Sequence, residues 1–220
     1  LVEHLELPSW IPCGVEHLDT DNETKERHKN LVARNDYPKD FISYGRGRLS
    51  QPTAGYLSPR ELCESLLSHP NIKRRFNKSL DDLNDAGSGH IILASGVFCK
   101  NFAEAEHLPL QSLRGQISLV RSNAASRKIK RVVCHDGYIL PEEKGVHIIG
   151  ATFSREAPTS YAVREKDHIE NLDKLATYMP GLKLGPAALT GGRVGYRAAT
   201  PDKLPVAGPL SPATGDKIYV

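Results

Sequence analysis

Residues 191–208 read GGRVGYRAATPDKLPVAG, with glycines at both ends and a Thr-Pro-Asp-Lys turn between them. Alternation over residues 193–197 predicts a short strand whose side chains point to opposite faces in turn. Arg193, Gly195 and Arg197 then share one face, and Val194 and Tyr196 share the other. An arginine held just before a rigid turn is a well-placed donor for a carboxylate, because its planar fork reaches both oxygens at once. The plainer alternative is a surface strand whose arginine pairs with some acid of the protein itself.

Outward from this strand, the chain alternates strand and helix signals. Residues 14–18 and 41–44 read as short strands, and residues 21–35 as a charged surface helix opened by Asp or Asn. Residues 58–69 predict a helix: Ser58 caps it, Pro59 takes the first helical position, Glu61 completes a capping box, and Pro70 stops it. Residues 90–95 (HIILAS) form a continuous apolar run ending at Gly96, as a buried parallel strand does. Strands then open at Arg114 and cover residues 132–135 and 146–152, with the Glu142–Gly145 turn between the last two. Residues 163–178 place Ile169, Leu172, Leu175 and Ala176 on one helical face, and Pro180-Gly181 ends the helix. The fold class expected is α+β, with a largely antiparallel or mixed sheet and flanking helices.

Composition narrows the chemistry. Hydrophobic residues at 39% and charged residues at 25% are those of an ordinary globular protein able to bury a core. No apolar run is long enough to span a membrane and no leader opens the chain, so a cytoplasmic protein is expected. The chain starts at Leu1 without Met, which suggests a processed product or a fragment. Four scattered cysteines without a C-x-x-C pair and nine histidines without H-E-x-x-H spacing predict no metal. A net charge of +3 does not by itself identify a nucleic-acid binder, although Lys73-Arg74-Arg75 and the basic run 127–131 are compatible with one.

The stretch Gly195-x-Arg197-x-x-Thr200-x-Asp202-x-x-Pro205-x-x-Gly208 resembles flavin-dependent amine oxidases of the glycine oxidase and D-amino-acid oxidase (DAO) family. Three further stretches narrow the resemblance: GYLSPRELCESLL from Gly55, HIILASGVFCKNFAEAEHLPLQSLRGQIS from His90, and DGYILPEEKGVHIIGATFS from Asp136. Together they are similar to the C-terminal FAD-dependent oxidoreductase module of the MnmC family, the bifunctional tRNA 5-methylaminomethyl-2-thiouridine biosynthesis proteins. The resemblance implies that Arg197 binds a substrate carboxylate and that Tyr138 lines the substrate pocket. It implies that Ala94, Ser95, Gly96 and Gly208 lie against FAD. The plain readings of these residues are a half-buried strand tyrosine and an ordinary strand end.

The same resemblance implies an oxidoreductase removing the carboxymethyl group from 5-carboxymethylaminomethyl(-2-thio)uridine at the tRNA wobble position, with a fused or separate methyltransferase module as partner. Two alternatives stand beside it, a free glycine or sarcosine oxidase and a non-catalytic truncated relative. Four segments are expected: residues 1–57 as partial substrate-domain strands with a surface helix, 58–104 as part of a Rossmann-like FAD-binding layer, 105–200 as the substrate-binding sheet, and 201–220 returning toward the FAD layer. That layer is expected to be incomplete, because no G-x-G-x-x-G occurs in the chain and Gly45-Arg46-Gly47 lacks both a preceding buried strand and a third glycine. That turn, at a helix N-terminus, holds the pyrophosphate in such enzymes. The chain alone is therefore expected to bind FAD weakly or not at all, and it stops before a glycine-rich segment that the family carries beyond this point.

Overall fold

A computed structural model describes residues 10–38, 40–87, 89–210 and 218–220. Residues 1–9 of the first expected segment and 211–217 of the last lie outside the described residues. In chain order come β1 (Trp10–Ile11), β2 (Val15–Leu18), α1 (Asn22–Ala33), β3 (Ser43–Gly45), β4 (Arg48–Gln51), β5 (Tyr56–Leu57) and α2 (Pro59–Leu66). There follow β6 (Ile91–Ile92), β7 (Gln111–Arg121), β8 (Val132–Cys134), β9 (Tyr138–Ile139) and β10 (Val146–Gly150). The last elements are β11 (Ser154–Arg155), α3 (Glu165–Tyr178), β12 (Leu189–Ala199) and β13 (Ile218–Tyr219).

The chain forms two compact units, one of residues 1–74, 116–152 and 163–193, the other of residues 75–115, 153–162 and 194–220. The long strands β7 and β12 contribute residues to both.

In the first unit, strands lie in the order β3-β4-β2-β8-β9-β10-β7. All neighbours are antiparallel except β2 and β8, which run parallel with Val15 opposite Val132. The mixed sheet matches the expected class. Gly45-Arg46-Gly47 is the hairpin turn between β3 and β4, with Arg46 at φ 52° and Gly47 at φ 72°. Two left-handed residues in succession suit the twist of paired strands, so this glycine pair builds a hairpin where one strand and a loop are expected. Asp21 caps α1 by accepting from the Thr24 N–H at 2.7 Å, and Ser58 caps α2 by accepting from Glu61 N–H.

The core of this unit gathers Val120, Ile129, Val133, Ile139, Ile149, Leu172, Leu175 and Leu184. Helix α3 corrects one expectation. Leu172 and Leu175 are buried, but Ile169 and Ala176 face solvent, and His168 and Asn171 complete the buried stripe instead. Polar pairing explains the rotation. Asn171 Nδ2 donates to Gln116 O and to Ser118 Oγ, each at 3.0 Å, and Ser118 Oγ lies 2.7 Å from His168 Nδ1. The Gln116 side chain bonds both backbone groups of Arg164, at 2.8 Å each, and pins the start of α3 to β7. Satisfied bonds in a buried site rigidify, and an unmade one would cost about 1–3 kcal/mol. Gly192 on β12 makes this close fit possible: a Cβ there would stand 2.6 Å from His168 Cε1 and 2.7 Å from Ile117 O.

In the second unit, Leu83, Leu93, Cys99, Ala105, Leu108, Leu210 and Ile218 form a smaller core. β11 pairs antiparallel with the first part of β7, Ser154 opposite Arg114. β13 pairs parallel with β6, Ile218 opposite Ile91. The parallel pairing agrees with the expectation for the HIILAS run, but the expected burial does not hold: only Leu93 is buried, and Ile92 is 74% exposed.

Candidate functional site

The alternation of residues 193–197 is present in β12. Arg193, Gly195 and Arg197 are exposed, Val194 is buried and Tyr196 is half-buried. Arg197 stands with its guanidinium carbon 5.4 Å from the centre of the Phe153 ring. Among the described residues it makes no hydrogen bond and no ion pair, so the plainer reading, an arginine satisfied by a protein acid, is not met. A cation over an aromatic face is held by about 0.5–1 kcal/mol when exposed. The fork is thus steadied from below while its five N–H donors stay free. Phe153 itself is 57% exposed, an unusual position for a phenylalanine, and nothing in its periodicity marks it.

On the other face of the strand, Tyr196 donates its hydroxyl to Ser160 O at 2.6 Å and meets Tyr161 edge-on at 5.2 Å. These contacts fasten β12 to the segment after β11. The turn beyond Arg197 is closed by Lys203 N–H on Thr200 O, Thr200 Oγ1 on Leu204 O, and Leu204 N–H on Asp202 Oδ1. The Leu204 N–H, helped by Thr200, holds the Asp202 carboxyl below its ordinary pKa. An ionised Asp202 keeps the turn rigid, and with it the end of the strand that carries Arg197.

The four residues expected against FAD all belong to the second unit. Leu93 N–H bonds Tyr219 O at 2.7 Å as β6 ends, and Ala94, Ser95 and Gly96 follow, all exposed. Gly208 exchanges two 3.0 Å backbone bonds with Val220, the residue after β13. The 94–96 turn and Gly208 therefore flank the same strand. Gly96 (φ 62°) opens a short 3-10 helix, Gly96–Asn101, and Ser95 Oγ rests 3.3 Å from Cys99 Sγ. Tyr138 belongs to the first unit. It opens β9 opposite Gly150, where a Cβ would stand 3.0 Å from Ile117 Cγ2 and 3.4 Å from the tyrosine oxygen. Nearby, His135 stacks on Tyr178 at 5.3 Å with neither ring nitrogen hydrogen-bonded, and burial pushes its pKa below the usual value. Among the described residues no cluster suits a metal ion, and no helix is long and apolar enough to cross a membrane.

Residues 6–220 match the family described as FAD dependent oxidoreductase, DAO. The chain belongs to the DAO family. Among curated relatives it is 31% identical to the tRNA 5-methylaminomethyl-2-thiouridine biosynthesis bifunctional protein MnmC of Saccharophagus degradans, over 90% of this chain and 32% of that protein. It is 30% identical to the protein of the same name from Hahella chejuensis, over 98% of this chain and 40% of that one. The chain therefore spans about a third of the length of these relatives. Among solved structures it resembles glycine oxidase from Geobacillus kaustophilus (TM-score 0.78, 18% identity, all of this chain and 68% of that one). It also resembles iminodiacetate oxidase from Chelativorans sp. BNC1 (TM-score 0.74, 17% identity, 99% of this chain and 69% of that one). These likenesses show the DAO fold.

The family implies FAD, and the described residues fit one wall of such a site. At Gly96 and Gly208 the backbone has φ of 62° and 157°, and nothing stands within 4 Å of where a Cβ would be. Gly96 is exposed and Gly208 half-buried, and glycine backbone with open space beside it lets a flat ring system approach closely. The G-x-G-x-x-G turn that cradles the pyrophosphate at a helix N-terminus does not occur in the sequence.

Proposed function

We propose that this chain carries the substrate-binding part and one flavin-facing wall of an FAD-dependent oxidoreductase that removes the carboxymethyl group from 5-carboxymethylaminomethyl(-2-thio)uridine in tRNA, leaving the aminomethyl form. The observation that carries this reading is the Arg197 guanidinium, exposed, steadied on Phe153 and unclaimed by any protein acid among the described residues. Its chemistry fits a glycine-like carboxylate, and the MnmC relatives, named for 5-methylaminomethyl-2-thiouridine biosynthesis in tRNA, favour a carboxymethylaminomethyl precursor of that base as its bearer.

FAD, when bound, supplies the two-electron acceptor for oxidising the carbon beside the secondary amine. Arg197 anchors the carboxylate on that carbon and so selects which C–H bond is presented. In this reading, carried over from the family resemblance, Tyr138 lines the substrate pocket, and Ala94, Ser95, Gly96 and Gly208 form the wall for the cofactor. The partner is tRNA with a modified wobble uridine, and a fused or separate methyltransferase module would use the amine produced. The protein acts in the cytoplasm.

A second reading, oxidation of free glycine or sarcosine, draws on the same arginine and on the glycine oxidase fold. The two separate by substrate. In the complete, FAD-loaded enzyme, a tRNA bearing the modified base should lose its carboxymethyl group by nucleoside mass spectrometry, while free glycine and sarcosine are left alone. Turnover of the free amino acids with the tRNA untouched overturns the proposal.

A further inference from the structure

The first unit holds a charged surface outside the site described above. Around Asn123 the fold gathers Arg121, Arg127, Lys128, Lys144 and Lys183, all exposed, beside two acids of the Lys144 turn, Glu142 and Glu143. The excess of three positive charges equals the net charge of the whole chain, +3. Glu142 is engaged by the Ser122 hydroxyl, which donates to it at 3.1 Å and accepts from Arg127 Nε at 3.1 Å. Arg121, Lys128, Lys144 and Lys183 have no acid partner among the described residues.

The backbone beneath these charges is fastened. Asn123 Oδ1 accepts from the Ala125 and Ser126 N–H groups at 2.9 Å, and Asn123 Nδ2 donates to Leu182 O at 2.8 Å. One side chain thereby joins the Arg127-Lys128 turn to the turn holding Lys183 at φ 50°. Ser126 Oγ is itself fixed by His147 Nε2 at 2.9 Å. Free loops would splay apart to relieve repulsion between like charges. Here the cations are held together, the arrangement that a polyanion binds with least ordering cost.

We propose that this Asn123-centred surface is a docking site for the phosphate backbone of the RNA substrate. The proposal rests on the tRNA reading above and adds where the body of the RNA is gripped. The partner is RNA rather than an anionic membrane because no large exposed hydrophobic side chain stands within the patch, so nothing on it would enter a bilayer. It reads backbone rather than base, because it offers cations without an aromatic ring to stack on.

The test is binding of a labelled, unmodified tRNA transcript, which needs neither flavin nor turnover. Lys128→Gln with Lys183→Gln should weaken binding about 60-fold at 0.1 M monovalent salt, since each lost phosphate contact removes roughly a 0.9 power of salt concentration. The log–log salt dependence should become shallower by about 2. Lys25→Gln with Lys29→Gln, the same charge removed from α1, should leave both unchanged. Thermal melts should show all variants folded. If the double variant binds like wild type, the patch is not the docking site, although the tRNA reading stands. If wild type ignores tRNA but binds anionic phosphatidylserine vesicles, the proposal fails, and mass-spectrometric assay of the modified nucleoside decides the chemical reading on its own.

Discussion

Replacing Arg197 with Met in the complete, FAD-loaded enzyme removes the guanidinium while keeping a side chain that still packs on Phe153. No protein acid is orphaned, because Arg197 has none among the described residues, so the change should barely disturb folding. Exposed substitutions of this kind stay within about 0.5 kcal/mol in stability. The loss falls on the substrate carboxylate alone. Because Arg197 is exposed, water can partly take over, and the expected cost is that of a charge-assisted hydrogen bond, about 1.5–3 kcal/mol. At about 1.4 kcal/mol per tenfold, kcat/KM for the carboxymethylaminomethyl substrate should fall roughly 10- to 150-fold. Arg197→Lys should recover part of this, since it restores the charge without the fork or the flat contact on the ring. Arg193, exposed on the same face two residues earlier, is the internal control. Steady-state kinetics on Arg197→Met, Arg197→Lys and Arg193→Met, with flavin content checked by absorbance, complete the set. Near-wild-type kinetics in Arg197→Met together with a large loss in Arg193→Met would refute the site assignment.

Three further outcomes are expected. Gly192→Ala should destabilise the first unit by about 1–3 kcal/mol in urea unfolding, because the new Cβ meets the backbone Ile117 O and a His168 ring locked by Ser118; an unchanged midpoint would mean that β12 packs less closely there. Burial lowers the His135 pKa, so the unfolded chain binds the extra proton first: stability should be full above the ordinary value of 6.5 and decline as pH falls below it, and His135→Phe, which keeps the stacking on Tyr178, should flatten that decline in melts from pH 7.5 to 5. The 220-residue chain alone should purify colourless and take up FAD weakly, for want of the glycine-rich cradle; near-stoichiometric flavin absorbance would point to a cradle built by other residues.

Local signals are legible in the order of neighbouring residues. Ser58-Pro59 starts α2, Asp21 caps α1, and the alternation of residues 193–197 puts Arg197 on the exposed face of β12. Each depends on hydrogen bonds or on a pleat within a few residues, so the sequence alone suffices. The family resemblance likewise rides on contiguous motifs. Tertiary structure alone decides the rest. The buried face of α3 turns toward His168 and Asn171 because Gln116 and Ser118, some fifty residues away in the chain, offer them partners. Ile92 is exposed because a run of apolar residues states what could be buried, while burial itself needs a neighbour to cover it. Phe153 comes under Arg197 only when β11 and β12 meet β7, and that contact is what leaves the arginine both fixed and free. Periodicity runs along the chain, whereas the partner of a buried polar group or an exposed cation is chosen across it.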